Sequence, residues 1–302
     1  MRRFFYSQNS EDAPALPQEA LSMLTIGTKI EVTPSIFHHW CKVLRARVGD
    51  YGILFDGFSG ETLVQICSID KKSATVVITE HFALNRETKI TTMIGLVMSR
   101  GERMDYAIQK ATELGVTAIW LLSSQHGEVN LKAAQVPKKL AHLQQVAIAA
   151  CEQCGLNRVP LIIAPMPIEQ WLEHIHHNDG SYDIISDNQL SPIAAPLYRD
   201  PYYQALNDNA ASKLVLSVPK DGEPMLPNQL LDTLKQPTPY IQLLIGAEGG
   251  LSEEEINLAT TKGFLPWQIG ARVLRTETAP VVALATLNAL LLAQDLHKSA
   301  MQ

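Results

Sequence analysis

Two patterns of hydrophobic and polar positions meet near residues 82–90. Before that point, short apolar and β-branched runs alternate with turn signals: KIEV at 29–32, YGILFDG at 51–57, ETLVQICSI at 61–69 and ATVVITE at 74–80. Gly49-Asp50, Asp56-Gly57 and Lys71-Lys72-Ser73 punctuate these runs, which predicts strands joined by tight connections. One helix interrupts the series. Pro34 suits a first helical position behind Thr33 as N-cap, and Ile36, Trp40, Val43 and Leu44 recur at helical spacing. Residues 1–82 therefore predict a small β-barrel carrying one helix, a unit better suited to binding than to catalysis.

From about residue 90, buried runs alternate with helical stretches. The strands are expected at 91–98, 118–122, 182–186, 213–218, 240–246 and, more weakly, 266–270. The helices are expected at 103–114, 137–154, 168–177, 226–235, 252–262 and 279–296. Continuous apolar runs between helices predict an α/β domain, 83–302, built on a parallel sheet covered on both faces. The stretch 187–212, rich in Pro, Asn and Asp, reads as a linker.

Composition narrows the function classes. With 46% hydrophobic residues the chain is not disordered as a whole, and its longest uncharged apolar tract, 280–293, is short for a membrane span. Four cysteines suggest no disulfide scaffold, and MRRFFYSQNS turns polar too early for a signal peptide, so the expected compartment is the cytoplasm. The net charge is −6; residues 1–82 hold 8 basic and 9 acidic side chains, and residues 83–302 hold 17 and 22. Neither part can coat nucleic acid nonspecifically, so any RNA contact rests on a few local cations.

Three stretches carry candidate chemistry. In LLIGAEGGLSEEE (243–255) a strand ends at Gly246 and a helix begins at Ser252, which forms a capping box with Glu255. Three carboxylates on the first helical turn oppose a phosphate, and neither a Gly-Lys-Ser/Thr nor a GxGxxG follows a strand. The loop then suits a ligand that is not a polyanion, or it is a plain strand–turn–helix connection. In QIGARVLRTETAPVVALATLNALLLA (268–293), Arg272, Arg275 and Glu277 crowd ahead of an apolar helix with Thr278 as its N-cap. Arg275 with Glu277 reads either as a catalytic pair or as a structural ion pair, and Thr286 and Asn288 suggest contact with a partner chain. In VMSRGERMDYAIQKATELGV (97–116), Arg100 and Arg103 follow a strand whose carboxyl end is a usual ligand side. Further cations cluster at Arg2-Arg3 and at Lys42, Arg45 and Arg47. The CEQC at 151–154 lacks a second pair, HIHH at 174–177 lacks carboxylate or thiolate companions, and no GxSxG occurs, so packing roles are expected and no metal.

Taken together, MRRFF, HHWCKVLRARVGD (38–50), RMDYAIQKATELGV (103–116), AACEQCGLNRVP (149–160), LIGAEGGLSEEE (244–255) and IGARVLRTETA (269–279) resemble the ribosomal RNA small subunit methyltransferase E family of the SPOUT class. The resemblance implies a PUA-like N-terminal RNA-binding barrel, a trefoil-knotted C-terminal domain, a homodimer, and S-adenosylmethionine as donor for N3 of a uridine in 16S rRNA of the small ribosomal subunit. It implies donor contacts at Ser217, Val218, Pro219, Ile245, Gly246, Glu248, Gly249, Gly250, Ile269, Gly270, Arg272, Leu274 and Arg275. Arg275 would stabilise the uridine anion, with Glu277 orienting it or relaying the proton. RNA would meet Arg2, Arg3, Lys42, Arg45, Arg47, Arg100, Arg103 and Arg158. Ala247, Leu156, His126, Asn130 and Leu143 depart from the family pattern. Another RNA target, a ribose hydroxyl, or a non-catalytic assembly factor are the alternatives.

Overall fold

The computed structural model describes residues 1–7, 20–58, 60–84, 86–176, 183–208, 211–217 and 226–300, with side chains up to 296. Five strands form the N-terminal sheet: β1 (Arg2–Phe5), β2 (Lys29–Glu31), β3 (Tyr51–Phe55), β4 (Glu61–Ile69) and β5 (Ala74–Phe82), in the order β1-β3-β4-β5-β2. All pairs are antiparallel except β1 with β3, so the sheet is mixed, and no pairing closes β1 onto β2 among the described residues. Two arginines followed by two phenylalanines show no alternation, which hid β1 from the sequence pattern. The strand forms because its side chains serve two cores: Phe4 and Tyr6 fill the N-terminal one, Phe5 the larger one beyond. The helix begins where expected. In α1 (Pro34–Phe37) the Thr33 hydroxyl accepts from Ile36 N, and the chain continues as a π-helical turn, His38–Val43. That widening rotates Val43 outward, leaving it exposed where regular helical spacing would bury it.

The remainder alternates as predicted: β6 (Thr91–Val97), α2 (Glu102–Glu113), β7 (Ala118–Ser123), α3 (Val136–Cys154), β8 (Leu161–Pro167), α4 (Ile168–His176), α5 (Ala194–Tyr198), α6 (Pro201–Gln204), β9 (Ser212–Leu216), α7 (Asn228–Leu234), β10 (Tyr240–Ile245), α8 (Glu253–Thr261), β11 (Leu265–Trp267) and α9 (Ala279–Ala300). The six strands pair entirely in parallel, in the order β11-β9-β10-β6-β7-β8.

Three expectations need correction. Residues 183–186 form no strand, although Ile184 and Ile185 are buried. Side chains take the backbone groups a ladder would use: Ile184 N donates to Asn207 Oδ1, and His174 donates to Ile184 O. Tyr182 lies outside the described residues. The unforeseen β8 carries Pro165 and Pro167, tolerable because it is an edge strand, and a register shift marks its pairing with β7. The stretch 187–212 is not a linker: Leu190, Leu197, Tyr198, Tyr203 and Leu206 enter the main core, and the Tyr203 hydroxyl donates to Val159 O at 2.7 Å.

The long helix α9 buries Ala283, Leu284 and Leu287, while Leu292 and Leu296 are exposed. Ala279–Leu296 has the length and apolarity of a membrane-crossing helix, a longer stretch than the uncharged tract alone suggested, and 28% of it is buried within the chain. Thr286 and Asn288 are satisfied internally. The Thr286 hydroxyl donates to Val282 O, and Asn288 Nδ2 donates to Leu114 O at the end of α2.

Buried charge joins the two sheets. Arg3 pairs with Glu61, and its second terminal nitrogen donates to Asn157 Oδ1 at 2.7 Å and Leu156 O at 3.2 Å. Arg86 Nε adds a 2.8 Å bond to Glu61, and Asn157 Nδ2 donates to Leu84 O. Arg158 Nη1 reaches Gly57 O and Asp200 Oδ1, each at 2.9 Å, with the guanidinium over the Tyr202 ring. Glu61 is 3% exposed and Arg3 10%. Removing one partner of such a pair leaves the other charge buried and unpaired. Glu61→Ala is expected to lower the unfolding free energy by about 3 kcal/mol, read from the shift in urea midpoint.

Candidate active site

Because β9, β10 and β11 run parallel, their carboxyl ends open on the same edge, and the segments that follow them enclose a cavity of about 520 Å³. Of the expected donor contacts, Ser217, Ile245, Gly246, Glu248, Gly249, Gly250, Ile269, Arg272 and Leu274 line it. Gly270 and Arg275 do not, and Val218 and Pro219 lie outside the described residues. The wall also includes Leu216, Trp267, Gln268, Val273, Thr276 and Ala279, which sequence reasoning missed. Their only signal was adjacency to the glycine-bearing and arginine-bearing stretches.

The loop after β10 is held from several sides. Gly250, at φ +73°, closes a turn in which its N–H donates to Ala247 O at 2.9 Å. Gly249 packs closely on His126: a Cβ there would lie 3.0 Å from His126 Cβ, so a side chain would require His126 to give way. The Ser252 hydroxyl accepts from Glu255 N at 3.2 Å, and Glu255 returns the bond to Ser252 N at 2.8 Å, the capping box expected from the sequence. The other Glu255 oxygen accepts from Gln125 N at 2.8 Å, in the segment after β7. One buried carboxylate thus ties the glycine loop to the far side of the sheet edge. Glu254 stands exposed on the same helical turn, its carboxyl held below the usual value by its own backbone N–H and by the Ser252 hydroxyl. The acidic first turn disfavours phosphate in the cavity, as the sequence implied.

Beyond β11 the chain turns at Arg275, whose carbonyl accepts from Thr278 N and Ala279 N. The Arg275 guanidinium projects into solvent, 4.0 Å from a carboxylate oxygen of the largely buried Glu277. Among the described residues, Ser217 Oγ, Thr276 Oγ1 and Glu277 Oε2 are buried without a hydrogen-bond partner. Three orphaned polar atoms on or beside one cavity suggest a polar ligand, since buried groups of this kind are normally paired.

The expected RNA-contacting cations divide into three sets. Arg3 and Arg158, expected at phosphates, are instead engaged in the buried network between the sheets. Arg103 pairs with Glu248 of the glycine loop, and Arg100 with Glu128. Arg2, Lys42, Arg45 and Arg47 remain exposed. Arg45 sits at φ +56°, the one non-glycine residue in the left-handed region among those described. Cys151 and Cys154 are free thiols whose pKa values burial raises, and His174 packs on Trp120; His177 lies outside the described residues. No group of three metal-ligating side chains occurs among the described residues.

Glu255→Ala removes two buried bonds at once. It is expected to cost about 2–3 kcal/mol of stability and to speed amide exchange across residues 246–252 more than in the sheet.

The model of the family described as RNA methyltransferase domain matches residues 86–288. Ribosomal RNA small subunit methyltransferase E of Bacillus subtilis is 28% identical over 293 residues, covering 95% of this chain and 96% of its own. The same-named protein of Buchnera aphidicola from Acyrthosiphon pisum is 29% identical over 250 residues, 83% of each chain. A solved structure of ribosomal RNA small subunit methyltransferase E from Neisseria gonorrhoeae, bound to S-adenosylmethionine, superposes with a TM-score of 0.68 at 28% identity, covering 96% of this chain and 98% of that one. The family model spans more than half of the sequence, cavity included, and the chain belongs to the RNA methyltransferase family.

Proposed function

We propose that the protein transfers a methyl group from S-adenosylmethionine to N3 of a uridine in 16S rRNA of the small ribosomal subunit. The observation that carries this reading is the cavity at the ends of β9, β10 and β11: glycine-floored, acid-flanked and lined by unpaired buried hydroxyls. Adenosylmethionine fits that chemistry. It carries a sulfonium cation and no phosphate, and its adenosine and amino-acid ends need hydrogen-bond partners such as Ser217 Oγ, Thr276 Oγ1 and the backbone of 246–250 and 268–274. When bound, it supplies an electrophilic methyl group. The related Neisseria enzyme was solved with this donor.

The remaining work falls to this chain's own groups. Methylation of N3 requires loss of the imide proton, so negative charge develops on the uracil ring. A guanidinium keeps its positive charge at every relevant pH and can face that ring. Arg275 is the candidate: it is exposed beside the cavity and does not line it, which suits a contact to substrate better than one to donor. Glu277, anchored in the turn, orients it. A target uridine stacked in the RNA must first be displaced, at a cost of a few kcal/mol. The exposed Arg2, Lys42, Arg45 and Arg47 support reading the N-terminal unit, 1–82, as a PUA-like RNA-binding module. A trefoil knot within 83–302 is part of the same reading, supported by the likeness to the RNA methyltransferase family. A second copy of the chain would cover Leu292 and Leu296 of α9, making the protein a cytoplasmic homodimer rather than a membrane protein.

Arg275→Ala is expected to reduce methylation at least about a hundredfold while adenosylmethionine binding by calorimetry stays within about twofold. Full turnover would remove Arg275 from the reaction. For the target itself, nucleoside mass spectrometry of small-subunit rRNA from a deletion strain should show loss of 3-methyluridine; its persistence would refute the proposed function.

A further inference from the structure

A second cavity, about 300 Å³, lies between the N-terminal unit and α3, away from the residues that form the donor cavity. Phe5, Ile36 and Ile148 contribute apolar wall, and polar residues line it as well: His39, Gln145 and Glu152, together with Ser7, Thr33 and Ser35. One Glu152 oxygen accepts from Phe5 N at 2.9 Å, which fixes the carboxylate against β1. Its other oxygen has no hydrogen-bond partner among the described residues. Burial raises the Glu152 pKa, while the Phe5 bond and the nearby His39 and Arg3 act to lower it. The helical segment that supplies Ile36 and His39 leads directly to the exposed Lys42, Arg45 and Arg47.

We propose that this cleft receives an unpaired RNA base bearing an exocyclic amino group, held flat between apolar walls and donating to the free Glu152 oxygen, while the cations beyond it contact the adjoining backbone. The proposal rests on RNA being the substrate. A carboxylate oxygen accepts from the N4 amino group of cytosine, whereas O4, which uracil carries in place of N4, would face it acceptor to acceptor. At the Glu152 oxygen the cleft therefore prefers an amino group to a carbonyl. It anchors a nucleotide other than the one methylated, and so contributes to choosing the target by its surroundings.

The test is amide NMR of the full-length protein, read at Phe5 and Gln145, during titration with CMP and with UMP. The two differ on this edge mainly by an amino group against a carbonyl, and both carry the same phosphate. CMP is expected to shift both amides, with UMP weaker by about tenfold or more. Glu152→Gln keeps a carbonyl for Phe5 N but turns an amide donor into the cleft. It should weaken CMP by about tenfold and bring UMP to at least equal affinity, with adenosylmethionine binding and thermal midpoint unchanged. Equal binding of CMP and UMP to the wild type, or no shift from either, would overturn the proposal, as would an unaltered preference in the folded variant. The readout needs no methyl transfer, so loss of 3-methyluridine in the deletion strain can still support the enzyme reading if the cleft proposal fails.

Discussion

Parallel pairing is the constraint on which the site depends. Strands that all point one way must all be left at the same edge, and the central β10, flanked by β9 and β6, brings the loops beside it together there. The chemistry-bearing stretches 217, 246–250 and 269–276 are far apart in sequence, yet they enclose one volume. What parallel pairing does not supply is the shape of each loop. That comes from local devices: a left-handed glycine, a glycine pressed against His126, and a carboxylate that caps its own helix and reaches across to Gln125.

Charge is used in the opposite way from what net counts suggest. The chain is acidic, and two of its most suggestive arginines, Arg3 and Arg158, are spent on internal joints. Their guanidiniums satisfy backbone carbonyls as well as carboxylates, something a lysine could not do from a fixed fork. Of the exposed cations, Lys42, Arg45 and Arg47 share one segment, while Arg2, Arg100, Arg103 and Arg275 lie elsewhere in the sequence. RNA recognition by such a surface must rely on shape and on specific pockets, since its electrostatic attraction is limited.

Much of this was legible in the sequence where local rules act alone. The limits of β4, the capping box of α8 and the Thr33 cap were all readable from propensity and spacing. The elements that escaped were those whose stability is tertiary. β1 is a wall between two cores, β8 survives its prolines only as an edge, and 183–186 gives up a strand because Asn207 and His174 capture its backbone. For the site, the motif residues could be named in advance, while Leu216 and Trp267 could not, because apolar wall residues look like any other core positions. The fate of Arg3 and Arg158 was equally invisible: exposure and burial of an arginine are written in the partners it finds.

The prolines of β8 have a further consequence. An edge strand of an all-parallel sheet offers a row of unpaired N–H and C=O groups to any extended chain that drifts past. With Pro165 and Pro167 lacking N–H groups, no incoming strand can complete a full ladder along the carboxyl half of β8. Protection against runaway sheet growth is thus written into this border, and replacing both prolines with β-branched residues would expose a template for aggregation in a fold otherwise unaltered.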